Sequence, residues 1–175
     1  LNSVFIYKKI EVFYNLPLTM GPFGRTNLML ELRNSFGTVP LGLMSIVPGN
    51  KTFFTIENTF SNLNYYEFVT DKYATFQWNH DFNGRLFARI PFMRKLNWRE
   101  IIGVKGVYGT VSDANRAINA SGLEYTAPED IYWEYNAGIG NIFKIFRLDF
   151  SWRGNYLDVP NVNKFAVKAS VGFYF

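Results

Sequence analysis

His80 is the only histidine in the 175-residue chain, and there is no cysteine. A hydrolytic triad needs an imidazole set between a hydroxyl and a carboxylate. His80 lies in the run Asn79-His80-Asp81, with serines elsewhere, so such a triad can be drawn. The ring, however, falls on the apolar side of an alternating segment, near its end. An amphipathic ring suits a membrane–water boundary at such a place. A single histidine excludes a multi-histidine metal centre, and the missing cysteines exclude thiolate sites and disulfide frameworks. Glycine-rich phosphate loops and paired-carboxylate spacings are absent from the sequence. The reading is therefore a non-enzymatic protein with no catalytic, cofactor or metal residues, a hydrolase surviving only through His80. Eighteen Lys and Arg against fourteen Asp and Glu give a net charge of +4. These cations are scattered rather than clustered, so nucleic acid is not an expected partner.

The charges with most content are Glu31, Arg33, Glu134, Arg147, Asp149, Arg153, Lys164 and Lys168. All fall on the polar side of segments that alternate with period two. Facing lipid at mid-membrane would cost an Arg or Lys about 2–4 kcal/mol, so an inward position is expected for each. They read as a structural network inside a barrel or, more sharply, as a docking surface for a loop or a passing substrate.

The elements that must position them are strands. Alternation is clear over Asn27–Phe36, Lys72–Asn83, Ile131–Asn141, Phe146–Tyr156 and Lys164–Phe175. In the last of these, Phe165, Val167, Ala169, Val171, Phe173 and Phe175 oppose Lys164, Ala166, Lys168, Ser170, Gly172 and Tyr174. Val4–Tyr14 and Trp98–Tyr108 alternate less cleanly, and Thr52–Glu57 is the weakest strand. Aromatic residues reach 19% and charged residues 18%, which speaks against a disordered chain and against a helical bundle. Soluble strands average about 5–6 residues, whereas a membrane-crossing strand needs about 9–11. Most of these segments have the longer length, which favours a membrane barrel over a soluble sandwich.

The connections alternate in kind. Asn141–Ile145 reads as a tight turn, while Gly109–Asp130 and Asn155–Asn163 are longer, as on the two sides of an outer-membrane barrel. Asn83–Asn97 breaks the norm of short turns on its side. It sets Arg85, Arg89, Arg94 and Lys95 among Leu86, Phe87, Ile90, Phe92, Met93 and Leu96. It reads either as a basic amphipathic segment on a leaflet surface or as a plain solvated loop. Asn58–Asp71 carries Phe60, Leu63, Tyr65, Tyr66 and Phe68 with only Glu67 and Asp71 as charges. A loop free in water would not show so many rings, so it is expected to fold inward. Tyr65, Tyr66 and Phe68 would then meet the wall, and Glu67 would pair with Arg147, Arg153 or Lys168.

Several stretches have a family look in this order. They are Asn64-Tyr65-Tyr66-Glu67-Phe68-Val69-Thr70-Asp71, His80-Asp81-Phe82-Asn83-Gly84, Ile90-Pro91-Phe92-Met93-Arg94-Lys95-Leu96 and Gly138-Ile139-Gly140-Asn141-Ile142-Phe143-Lys144. With the terminal Phe175, they resemble the C-terminal region of a family of outer-membrane proteins of unknown function from Bacteroidetes-type bacteria. Members carry a small carboxypeptidase-regulatory-like domain before the barrel. That family is in turn distantly similar to BamA/TamA-type barrels. The resemblance implies a loop folded into the lumen just before the fifth strand from the end, here Asn58–Asp71. It also implies that Phe173 and Phe175 belong to a C-terminal barrel signal, with Ser170 where the signal's glycine is expected.

Taken together, the sequence points to an all-β, antiparallel transmembrane barrel segment with about eight strands. Lacking an initial Met and a signal peptide, it is expected to be the C-terminal half of a barrel of about sixteen strands, although 175 residues also suit a closed eight-stranded barrel. The expected role is outer-membrane protein assembly, translocation or complex scaffolding in the bacterial outer membrane. Outer-membrane lipid and other outer-membrane or periplasmic proteins are the expected partners. A solute-conducting transport barrel is the alternative.

Overall fold

Alternating side chains and long strands give one antiparallel sheet in the computed structural model, which describes residues 6–118, 126–128 and 130–172. Its strands are β1 (Tyr7–Thr19), β2 (Arg25–Gly37), β5 (Lys72–Asp81), β6 (Arg99–Thr110), β7 (Tyr132–Ile142), β8 (Phe146–Arg153) and β9 (Phe165–Val171), paired in that order. Two short strands, β3 (Ser45–Ile46) and β4 (Val69–Thr70), form a separate ladder within the β2–β5 connection. Helix is confined to short pieces, among them α1 (Pro91–Arg94) and α2 (Asp113–Ile118). The protein is thus all-β and antiparallel.

Three expectations need correction. Thr52–Glu57 is not a strand of the sheet; it lies inside the β2–β5 connection, where Phe54 makes one isolated parallel bridge to Ala169. The first strand, Tyr7–Thr19 among the described residues, runs past Tyr14 because Leu16 and Leu18 continue the apolar side opposite Leu28 and Thr26; Val4 and Phe5 lie outside the described residues. The closed eight-stranded alternative is corrected too: the sheet has seven strands and is not closed into a barrel, with β1 and β9 its two edges, unpaired with each other among the described residues. Pro17 is tolerated in β1 because an edge strand leaves backbone groups outside the ladder.

Register assigns the two faces. Lys105 stands opposite Glu134, Glu134 opposite Arg153, and Asp149 opposite Lys168. All share one face with Glu31, Arg33, Gln77 and Asn79. The other face carries Leu30, Leu32, Phe76, Ile102, Trp133, Tyr135, Leu148, Phe165 and Val167, all substantially exposed. Charges on this apolar face occur only near strand ends, at Lys8, Lys72 and Glu100. The polar face curves around a cavity of about 620 Å³, whose lining runs from Pro17 on β1 to Ser170 on β9.

The two ends of the sheet differ. Three connections at one end are the β1–β2 turn, residues 82–98 and the β7–β8 turn. The first packs so closely on the end of β5 that a Cβ at Gly24 (φ +103°) would lie 1.9 Å from the Asp81 carbonyl oxygen. The opposite end holds the β2–β5 connection, the described parts of residues 111–131, and residues 154–164. The buried core sits at that second end, between the β2–β5 connection and the polar face. One cluster joins Val47, Phe60, Leu63 and Phe68 to Tyr73, Val107 and Tyr132; a second joins Val39, Met44, Val69 and Val111.

The face assignment is testable with single cysteines and an apolar maleimide in detergent micelles. Cysteine at 148, 150 or 167 should label readily and cysteine at 147, 149 or 168 poorly. A one-residue slip would exchange the two sets, so labelling at 147 but not 148 would overturn this register.

Candidate functional site

The β2–β5 connection builds its own shape before it meets the sheet. Asn50 Oδ1 accepts from the Thr52 amide at 2.9 Å and the Thr52 hydroxyl at 2.8 Å, while Asn50 Nδ2 donates to the Phe54 carbonyl at 2.8 Å. This is an asparagine-centred turn. The chain then doubles back, with the Asn50 amide donating to the Phe60 carbonyl and the Phe60 amide to the Pro48 carbonyl, at 2.8 and 2.9 Å. Gly49 makes this crossing possible, since a Cβ there would stand 2.6 Å from both the Leu63 and Asn64 carbonyl oxygens. Phe60 and Phe68 meet the Tyr132 ring edge-on, at centroid distances of 5.6 and 5.5 Å.

Four charged side chains from four adjacent strands then hold this loop. On β7, Glu134 is 1% exposed and accepts the Ser61 amide at 2.8 Å and the Asn62 amide at 2.7 Å. It also accepts the Tyr132 hydroxyl at 2.6 Å. On β8, the buried Arg153 donates from Nη2 to Glu67 Oε1 at 2.6 Å and from Nη1 to the Asn62 carbonyl at 3.4 Å. Its guanidinium lies 4.8 Å from the Tyr132 ring centroid. Lys168 on β9 donates to the Asn50 and Thr52 carbonyls at 2.8 and 2.6 Å. From β6, Lys105 reaches the Thr59 carbonyl at 2.9 Å. Apart from Glu67, the loop groups these four grasp are backbone N–H and C=O groups.

The residues singled out in the sequence are thus divided. Glu67 meets Arg153 rather than Arg147 or Lys168, and its Oε2 accepts the Asn64 amide at 2.8 Å. Phe68 is buried at 3% exposure. Tyr65 and Tyr66 are not packed on the wall: they are 57% and 69% exposed. The reason is local. The Glu67 carboxylate closes a turn on the Asn64 amide, Tyr66 takes φ +60°, and both rings ride on the outside of that turn. Arg147 and Asp149 form a two-bond pair at 2.6 and 2.7 Å, which lines the cavity and makes no bond to the loop. Phe173 and Phe175 lie outside the described residues. His80 is held by its own surroundings, with Nε2 3.0 Å from the Phe23 carbonyl oxygen and its ring between those of Trp78 and Phe82.

Two participants have weaker sequence signals. Lys105 lies on the polar side of β6, where Gly103, Gly106 and Gly109 dilute the alternation. Asp71 accepts the Ser112 amide and Asn115 Nδ2, both at 2.8 Å, and so ties the loop's exit to α2. Only contact geometry reveals that role.

Comparison with known proteins places this architecture in a family. Residues 1–114, from β1 to the first residues of α2, match the model described as "Family of unknown function (DUF5686) C-terminal domain". The chain belongs to this family. No curated protein and no solved structure matches it. The matched region of this DUF5686 domain contains the whole loop and Lys105, while Glu134, Arg153 and Lys168 come from strands beyond it.

The clamp predicts strong coupling. Glu67→Ala and Arg153→Met should each lower unfolding stability in detergent by about 3 kcal/mol, because each leaves a buried ionic partner without its counterpart. The double variant should lose little more than the worse single one. Denaturant titration monitored by tryptophan fluorescence measures this, and full additivity would rule out the pairing as a unit.

Proposed function

We propose that this domain forms part of the wall of a bacterial outer-membrane β-barrel of about sixteen strands, and that the β2–β5 loop is a plug resident in its lumen. The observation that carries the reading is the distribution of charge. The polar face holds Lys105, Glu134, Arg153 and Lys168 against a folded-in loop, while the opposite face carries no charge away from the strand ends. In water, so broad an apolar face would be an association hazard; in a bilayer it is the expected surface. Strands of 13, 13, 10, 12 and 11 residues in β1, β2, β5, β6 and β7 are long enough to cross. Two unpaired edges suit a partial wall that further strands complete.

Within that barrel the favoured role is non-enzymatic: assembly or translocation of outer-membrane proteins, or scaffolding of a complex with outer-membrane or periplasmic partners. The way the wall holds its plug supports this over passage of small solutes. Lys105, Glu134, Arg153 and Lys168 engage peptide N–H and C=O groups, which every polypeptide offers whatever its sequence. The resemblance read from the sequence to BamA/TamA-type barrels implies the same role. A solute-conducting barrel is the second reading, favoured by the cavity with Gln77, Asn79, Lys105 and Asn136 on its lining.

Planar-bilayer recording of the full-length protein separates the two. The assembly reading expects a closed wild type, and stepwise conductance once E67A/R153M releases the plug. It also expects other outer-membrane or periplasmic proteins to co-purify with the wild type. A wild type that conducts steadily would favour the solute reading, and a chain that remains soluble without detergent would overturn both.

A further inference from the structure

The β5–β6 connection has a composition that the plugged-barrel reading does not use. From Phe82 to Trp98 there are four cations and no acid. The segment folds as two helical turns, Phe87–Arg89 and α1, joined at Ile90. Its anchoring fixes where it lies. Glu100 has the side-chain parity of Ile102, on the apolar face of β6, and its carboxylate accepts the Phe87 amide. Arg85 reaches across to the β1–β2 turn, donating to the Pro22 carbonyl at 3.1 Å with its guanidinium 4.8 Å from the Phe23 ring centroid. The segment is therefore held along the apolar side of the sheet's rim rather than over the mouth of the cavity.

There it presents both halves of an interfacial surface. Phe92 is 75% exposed, and Leu86 and Ile90 are also exposed. Arg89, Arg94 and Lys95 are exposed and form no ion pair among the described residues. The neighbouring turns repeat the combination. Phe23 is exposed next to Arg25, and Phe143 is 84% exposed next to Lys144. Of the acids at this end, Asp81 lies 3.5 Å from Arg99, and Glu100, 7% exposed, is turned into the segment, where one carboxylate oxygen accepts the Phe87 amide. Beside α1, a cleft of about 260 Å³ is lined by Arg94, Arg99, Asn83, Asn97 and Asn141. Guanidinium and amide groups together match a phosphodiester in charge and in hydrogen-bonding demand.

We propose that this rim is a docking surface for anionic phospholipid headgroups, with the rings of Phe92 and Phe143 entering the acyl boundary and Arg89, Arg94 and Lys95 meeting the phosphates. The inference rests on the membrane reading above and adds a lipid preference to it. Rings at headgroup depth and cations near an anionic leaflet act together, and each Lys or Arg there contributes about fivefold to lipid binding. The cations concentrate at the end with the shorter connections, so the leaflet concerned is the one facing that end.

The test uses the full-length protein in zwitterionic detergent, with bound lipid counted by native mass spectrometry during titration with phosphatidylglycerol or phosphatidylcholine. The wild type should retain phosphatidylglycerol at least about tenfold better than phosphatidylcholine, given several cations at one rim. R89Q/R94Q/K95Q should lose that preference with unchanged circular dichroism, whereas K8Q/K72Q, which changes cations at the opposite end, should keep it. Equal retention of the two lipids by the wild type would overturn the proposal. So would a preference that survives the triple variant, one lost equally in K8Q/K72Q, or full competition by soluble glycerol phosphate. A protein that needs detergent yet shows no preference fails only this inference; one that is soluble without detergent fails the membrane reading itself.

Discussion

Glu134 and Arg153 stand opposite each other on β7 and β8, both buried, and neither could remain so on the wall alone. A buried carboxylate or guanidinium needs most of its hydrogen-bonding capacity filled. Here the loop supplies most of it: two amides at Glu134, beside the wall's own Tyr132 hydroxyl, and Glu67 with the Asn62 carbonyl at Arg153. The loop's position and the wall's charges are consequently one structural fact. Removing the loop would leave a charged layer dry or open it to water, and removing the charges would leave the loop backbone without partners at the same places.

The same demand explains why the hydrophobic core is small and lies on the polar side. In a soluble sheet protein the apolar face is packed against a second layer. Here the apolar face is bare, and the buried side chains gather where the loop descends onto the wall. Phe60, Leu63 and Phe68 fill the space between the hydrogen bonds, and the Tyr132 ring serves both kinds of contact. Toward the end with the shorter connections, the polar face has no such core among the described residues. There Arg147 pairs with Asp149 within the wall, and Gly103 leaves room for Asn79 and Asn136, whose side-chain oxygens would lie 2.4 and 2.5 Å from a Cβ.

Much of this was legible from alternation. Period two separates Trp133 and Tyr135 from Glu134, and Leu148 from Arg147, because a strand offers only two directions. Glu67 was also readable as an acid seeking an inward cation, since a ring-rich segment with so few charges has few alternatives. Three things were not legible. Thr52–Glu57 has β-forming residues, but the Asn50-centred turn and the Gly49 crossing bind it into the loop, and no local pattern announces that. The exposure of Tyr65 and Tyr66 follows from the direction of one turn, which composition does not encode. Closure depends on which strands meet at β1 and β9, a relation that no segment carries by itself.

The family match runs through β1, β2, the loop, β5 and β6, whereas three of the four clamping side chains come from β7, β8 and β9. Plug and clamp are therefore separable in sequence and joined only in three dimensions. This division has a physical consequence. The loop's internal order, from the Asn50 turn to the Gly49 crossing and the Glu67–Asn64 turn, uses residues of the loop alone. Its attachment uses the wall, largely through backbone groups that any loop of the right shape would present. A sequence change in the loop can thus alter the exposed tip at Tyr65 and Tyr66 while the grip of Glu134 and Lys168 persists. Those two hold main-chain atoms, which side-chain substitution leaves in place.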